Sequence, residues 1–392
     1  MSYTAEDIAK LRLIRTTGVG PVAWRRLLAR CGTAVNAVEN VVEISAQYRK
    51  KPLAPCPMAV VEKELAALHK AGAKLLFWGG EGYPMLLAQV PDAPPVLTVL
   101  GNAQALSDKA IAIVGTRNAS AIGTNFTKLL AQELAEQGFS IVSGLARGID
   151  TAAHQGALSV SSPSGTTVAV LAGGVDHIYP PENKSLWERV QAGGCIVSEL
   201  PMGTVPLTSY FPRRNRIIAG LVRAVIVTEA SRHSGTLITA RHAGEYGREV
   251  FAVPGSPADP RAAGTNHLLK QGAQMLETAA DVLASLQLHR PFAAQPPVQY
   301  TGEASTALFE QEEAPQPQAT RPEPDLFSAA PAGNAAELLF TLLSPNPIGV
   351  DSLVRQFVAN STFGETAAYL ALTDLELDGK IERTATGEVR RV

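Results

Sequence analysis

The stretch AIAIVGTRNASAIG, residues 110–123, decides the fold. A short apolar run, 110–114, ends at Gly115, and a helix follows over 121–137 with Ser120 as its N-cap and Gly138 just past its end. The same rhythm repeats outward from it: short apolar runs separated by glycine and by helical segments at 73–78, 96–100, 139–143, 166–172, 194–198, 223–228 and 249–253. This is the signature of an α/β fold with a parallel sheet.

The first strand-to-helix turn of such a sheet is where α/β folds bind phosphate, and here it holds Gly115, Thr116 and Arg117. It is not the dinucleotide fingerprint, because Gly115 and Gly123 are too far apart and an arginine fills the crowded turn. Arg117 would clash with a pyrophosphate cradle but would clamp an extended phosphate backbone; the plainer reading is a surface arginine on a generic turn. The next strand ends in SGLARGIDTAAHQGA, 143–157, with Ser143, Gly144 and Arg147 in the loop and His154 on a helix of small residues. His154 reads as a packed or capping histidine, with a catalytic one as the alternative. LAGGVDHIYPPEN, 171–183, precedes a helix carrying Lys184. Three successive strand ends with polar glycine loops build one crevice at the carboxyl edge of the sheet.

FPRRNRIIAG, 211–220, adds Phe211, Arg213, Arg214, Asn215 and Arg216. Guanidinium forks hold phosphate oxygens bidentately, and a helix starting near Pro212 would add its positive end. Adjacent Arg213 and Arg214 point apart, whereas Arg216 would share the face of Arg213. Surface salt bridges are the alternative use of this triplet. Context favours an anion: between 206 and 248 stand seven arginines against Glu229 and Glu245, in a chain whose net charge is only −2. Ser234, Gly235 and Thr236 at a further turn suit a phosphate nest. Phe211 and Tyr179 are candidate stacking partners for bases.

At 392 residues and 46% hydrophobic, the chain has ample material for two or three domains. Residues 1–72 read as a helical module, in which TTGVGPVAWRRLL, 16–28, has the shape of a helix-hairpin-helix or of an ordinary two-helix turn. The sheet domain covers 73–288. Residues 289–333 carry eight prolines, six acids against two arginines, and no periodicity, which reads as a disordered linker. Residues 334–392 read as a winged helix. Its groove-facing helix, 365–378, has Glu365, Asp374, Glu376 and Asp378 and no basic residue, which suits a protein-interaction module, or a merely stabilising accessory domain, better than a duplex reader. The expected compartment is the cytoplasm: no apolar run resembles a signal peptide or a membrane span. Cys31, Cys56 and Cys195 are widely spaced, outside any metal-ligand pattern, and read as reduced and structural. There is no Walker motif, HExxH or GxSxG, so no activated nucleophile, metal or cofactor is expected.

The ordered series IVGTRNAS, SGLARGIDTAAHQGAL, LAGGVDHIYPPEN, SELPMG, YFPRRNRIIAGL, EASRHSGTLITARHA, GREVFAVPG and GTNHLLKQGA resembles the DprA (Smf) DNA-processing family over roughly 73–287. The N-terminal helices resemble a helical module that family often carries, and the C-terminal module resembles its optional winged-helix domain. The resemblance implies an extended Rossmann-like fold that binds single-stranded DNA as a homodimer and helps load RecA during natural transformation, without enzymatic turnover. Carried over, the family's arginine after the first strand matches Arg117, and its basic pocket matches Lys184 and the FPRRNR run. Thr116 stands where many members have serine, and Val222 where serine is common; neither removes a charge. The competing reading is a nucleotide phosphoribohydrolase of the lysine-decarboxylase-like group, whose PGGxGTxxE run is absent.

Overall fold

The computed structural model describes residues 3–288 except 161–165 and His233. Beyond them it describes 338–343, 348–359, Ala368, Ala371, Leu372, Leu375, 381–383 and 388–391. The chain divides into two compact units, Met1–Phe309 and Glu310–Val392.

In the first unit the apolar runs become strands β1 (Lys74–Phe77), β2 (Val96–Gly101), β3 (Ala110–Val114), β4 (Ser140–Ser143), β5 (Thr167–Val170), β6 (Cys195–Ser198), β7 (Ala224–Val227) and β8 (Glu249–Ala252). A ninth, β9 (Gln274–Met275), has no counterpart among the expected strands. The sheet order is β1-β2-β6-β5-β4-β3-β7-β8-β9. From β6 to β9 all neighbours are parallel, as expected, but β1–β2 and β2–β6 are antiparallel, so the sheet is mostly rather than wholly parallel. Successive strands β4, β5 and β6 build away from β3 on one side, and β7 and β8 on the other. The boundary between β3 and β7 is therefore the topological switch point, outside whose carboxyl ends α/β sheets bind ligands.

Alternation along β3 explains how both faces are covered. Ile111 and Ile113 pack with Leu130, Leu134, Ala153 and Ala157 from helices α6 (Ala121–Glu136) and α7 (Ile149–Ala157). Ala112 and Val114 pack on the other face with Ile217, Ile218, Ala240 and Ala243 from α9 (Tyr210–Gly220) and α10 (Thr236–Glu245). Helix α6 begins as its sequence dictates: the Ser120 hydroxyl accepts from the Gly123 N–H at 2.8 Å. Helix α8 (Lys184–Gly193) follows the loop after β5.

The N-terminal helical segment resolves into α1 (Ala5–Arg15), α2 (Pro21–Cys31), α3 (Ala34–Ala46) and α4 (Met58–Ala71). Leu13, Trp24, Leu27, Val38 and Val41 form the core of α1–α3, while Val61 and Leu68 of α4 pack with Leu11, Leu75 and Phe77. Between α1 and α2, Gly18 takes φ +89° and Gly20 precedes Pro21, the first residue of α2. Arg15 ties the helices to the sheet: it forks onto both Glu64 oxygens at 3.0 and 2.8 Å and donates to the Glu199 carbonyl at 3.0 Å. All three cysteines are free thiols.

In the second unit, β10 (Ile348–Gly349), β11 (Ile381–Arg383) and β12 (Glu388–Arg391) form an antiparallel sheet in the order β10-β12-β11. Leu353, Val354 and Phe357 of the helix Val350–Ala359 are buried with Ala368, Ala371, Leu372 and Leu375. The linker reading of 289–333 lies outside the described residues, as do the four carboxylates assigned to the 365–378 helix.

His154 is a packed histidine. It is fully buried on α7, with Nδ1 2.8 Å from the Thr167 hydroxyl. That hydroxyl gives its own proton to the Ile141 carbonyl at 2.6 Å, so Nδ1 is the donor. Burial, helped by the nearby Arg214 charge, pushes the imidazole pKa from 6.5 down to about 3. Between these values the unfolded chain takes up a proton that the folded chain refuses. Stability should therefore fall as pH drops from 6.5 towards 3, by up to about 1.4 kcal/mol per pH unit for this group. Urea midpoints measured across that window should fall more steeply for the unaltered protein than for His154→Gln; equal slopes would contradict the assignment.

Candidate nucleic-acid interface

Loops following β3, β4, β5 and β7 meet the start of α9 at the carboxyl edge of the sheet. The meeting is close enough to dictate residue types. Gly148 has φ +71°, and a Cβ there would lie 2.5 Å from the Thr116 carbonyl and 2.7 Å from that of Arg117, so the β3 and β4 loops abut only because this position has no side chain. On the opposite flank the Thr236 hydroxyl donates to the Gly115 carbonyl at 3.1 Å. Ser234 caps that turn locally, accepting from the Thr236 N–H at 3.2 Å, and Asn215 reaches across from α9 to the Gly235 carbonyl at 3.2 Å. Gly235 itself is exposed, with open space where a Cβ would stand.

Two aromatic rings and two guanidiniums form the centre. The exposed Arg117 lies over the Phe211 ring, 5.2 Å from its centroid. Tyr179, from the loop after β5, meets Phe211 edge-on at 5.7 Å. Arg214 lies 6.0 Å from the centroid of the same ring. A cleft beside them is lined by Gly144, Ala146, Gly173, His177, Tyr179 and Arg214. A second lies between Leu171, Glu199, Tyr210 and Arg213.

The three arginines of α9 have three environments. Arg213 is exposed. Arg214 is 6% exposed and donates through Nη1 to the Val170 carbonyl at 2.5 Å. Its desolvation lowers its pKa to about 10, which leaves it charged at neutral pH. Beneath it, Asp150 accepts from the Gly144 and Ala146 N–H groups at 3.1 and 3.4 Å, and burial pushes its carboxyl above the usual range against the pull of Arg214. Arg216 departs from the sequence reading. Rather than sharing the face of Arg213 it is buried, bonded to the Glu199 carboxylate and the Asp92 carbonyl, with Asp92 Oδ2 3.8 Å from Nε. It belongs to the scaffold, the salt-bridge alternative for one member of the triplet. Ser143 departs likewise: its hydroxyl is fully buried and donates to the Ile113 carbonyl at 2.7 Å, so it stitches strands and does not line the crevice.

Arg147 and Lys184 are both exposed at this edge, Arg147 paired with Glu182 and Lys184 opening α8. Helix α9 begins at Tyr210, two residues before the expected Pro212, and no side chain caps it.

Sequence reasoning missed Glu229. Its carboxylate accepts from the Ser120 N–H at 3.0 Å and the Ser120 hydroxyl at 2.5 Å, at the positive end of α6. A Cβ on Gly123 would stand 2.5 Å from that carboxyl. The place a dinucleotide fold reserves for pyrophosphate is therefore filled by the chain's own anion. Asn183 was missed as well. Its Nδ2 donates to the Leu145 carbonyl at 2.8 Å and to Thr151 Oγ1 at 3.0 Å, fixing the β5 loop against the β4 loop. Neither contact leaves a local signal, since the partners are 109 and 38 residues apart.

Among the described residues there is no cluster suited to a metal ion, and no helix is long and apolar enough to cross a membrane.

Comparison with known proteins converges on one family. Residues 74–287 match the family described as DNA recombination-mediator protein A, and residues 4–67 match the DprA-like N-terminal HHH domain. Protein Smf of Synechocystis is 46% identical over 208 residues, 52% of each chain. DNA processing protein DprA of Bacillus subtilis is 43% identical over 223 residues, covering 57% of this chain and 74% of that one. Thus the match spans only about half the length of the Synechocystis relative. The crystal structure of DprA from Streptococcus pneumoniae superposes with a TM-score of 0.60 at 36% identity, over 72% of this chain and 98% of that one. The family is one of recombination mediators rather than enzymes. With a nine-stranded α/β sheet, an N-terminal helix-hairpin-helix domain and matches across both, the chain belongs to the DNA recombination-mediator protein A family, the DprA/Smf proteins.

Proposed function

We propose that this protein binds single-stranded DNA along the carboxyl edge of its sheet, without sequence preference, and helps load RecA onto it in DNA uptake and recombination. The observation that carries the binding reading is the exposed Arg117 guanidinium held over Phe211, with Arg213, Arg147 and Lys184 exposed at the same edge. Cations spaced along an edge track a phosphate backbone, and an aromatic face beside them stacks any base, because every base has a π-face. Gly115, Thr116, Gly144, Asn215, Ser234, Gly235 and Thr236 shape the groove between them, and Arg214 sets its floor. Stacking contributes about 1–3 kcal/mol per base, and with only Phe211 and Tyr179 on offer, affinity rests mainly on phosphate contacts. Membership of a recombination-mediator family agrees with the RecA reading, and the homodimer reading rests on the resemblance to the DprA (Smf) proteins. A winged-helix C-terminal unit used for protein contacts agrees with the small helix-and-sheet core seen there. Against the hydrolase alternative stands Glu229, which occupies the anion seat at the switch point.

Fluorescence anisotropy with labelled oligothymidine tests the interface. Arg117→Ala or Arg213→Ala should weaken binding to all sequences alike and reduce the slope of log K against log salt by about 0.7, one single-strand phosphate's share. Unchanged affinity and slope in both, with the fold intact, would remove the site. Arg216→Ala should behave differently. It removes a buried guanidinium and leaves the largely covered Glu199 carboxylate without it, so stability should drop by about 3 kcal/mol in urea unfolding. In light scattering at micromolar concentration without DNA, the account expects a dimer; a monomer throughout would exclude the homodimer.

A further inference from the structure

Glu182 is an exposed acid at the rim of the groove, between the exposed cations Arg147 and Lys184. It sits in the short 3₁₀ turn Pro181–Asn183, two residues before Lys184, and its carboxylate is ion-paired with Arg147. Both side chains are about half exposed, 47% and 49%. The backbones that carry them have little freedom. Leu145, two residues before Arg147, is fully buried with φ +57°, a conformation that leucine adopts only where packing enforces it. Asp150 holds the Gly144 and Ala146 N–H groups, and Asn183, next to Glu182, is clamped to the Leu145 carbonyl. Glu182 is therefore fixed beside Arg147 by the fold, while the ion pair itself is exposed and weak. The carboxyl is held below the ordinary glutamate range, first by its own backbone N–H and then by Arg147, so it is ionised at neutral pH.

We propose that Glu182 is an internal competitor for the DNA phosphate: it occupies Arg147 in the free protein and must yield that guanidinium before a strand seats. The inference rests on the single-strand reading above. A single carboxylate satisfies Arg147 but repels an incoming phosphate, so each binding event exchanges one anion for another at this position. Glu182 thereby lowers affinity for isolated or short anions, whose one contact barely repays the exchange, and favours a continuous backbone that engages Arg117, Arg213 and Lys184 as well. The residue sets a threshold for length rather than for sequence.

The test compares the full chain with Glu182→Gln and Glu182→Ala, titrated by anisotropy with labelled oligothymidines of several lengths at low and moderate salt. Both variants should bind about 2- to 5-fold tighter than the unaltered protein, the range that corresponds to one exposed ion pair. The gain should be greatest for the shortest oligonucleotides and shrink in an Arg147→Ala background. Thermal melts should match, because Glu182 makes no buried contact. If the unaltered protein binds oligothymidine but neither variant binds it more tightly, Glu182 is not a competitor and the single-strand reading stands. If the unaltered protein does not bind at all, the reading and the proposal fall together.

Discussion

A guanidinium inside the sheet edge is the constraint on which the rest of this site depends. Arg214 is all but buried, and a cation in such a place is tolerated only with partners at hand. It finds them in the Val170 carbonyl, in the field of Asp150, and in the Phe211 face. The space it fills exists because residue 144 is glycine: a Cβ there would lie 1.9 Å from Nη1. Strand ends β4 and β5 and the first turn of α9 are thus fastened through one side chain. Phe211 and Arg213, the neighbours of Arg214 on that turn, inherit fixed positions from it.

From this anchor the anion chemistry is displaced outward relative to a dinucleotide-binding fold. Glu229 neutralises the α6 terminus, where a nucleotide's phosphates would sit, and Arg216 is consumed by Glu199 and Asp92. What is left exposed is a line of cations on the rim with an aromatic ring between them. A closed seat selects a compact ligand by shape, whereas an open rim of this kind meets an extended polyanion at several points, each weak and screened by salt. Charge confined to one edge also accounts for a strongly basic segment inside a chain of nearly zero net charge.

Much of this was legible in the sequence for a physical reason. Strands buried on both faces need uninterrupted apolar runs, so eight of them stood out, and the glycine turns after β3, β4 and β5 located the crevice. The two-residue β9 was too short to carry a pattern, and the antiparallel direction of β1 and β2 is set by pairing, which periodicity does not encode. In the arginine triplet, Arg213 and Arg214 do point apart as the sequence reading had it, but Arg216 does not share the exposed face of Arg213. Whether an arginine is spent on the scaffold depends on carboxylates and carbonyls supplied from distant segments, Asp92 at a separation of 124 residues and Val170 at 44. Ser143 failed for the same reason: a strand-end hydroxyl turns inward when a carbonyl on the neighbouring strand, here that of Ile113, is within reach.

The central claim is that a nucleotide base lies against Phe211 while its phosphates meet the surrounding cations. Photocrosslinking addresses it directly: an oligothymidine carrying 5-iododeoxyuridine is bound to the full chain, irradiated, and the adducts are located by mass spectrometry. The account predicts adducts on Phe211 or Tyr179, lost when excess unlabelled oligothymidine competes. Adducts confined to the N-terminal helices or to residues beyond 309 would contradict it.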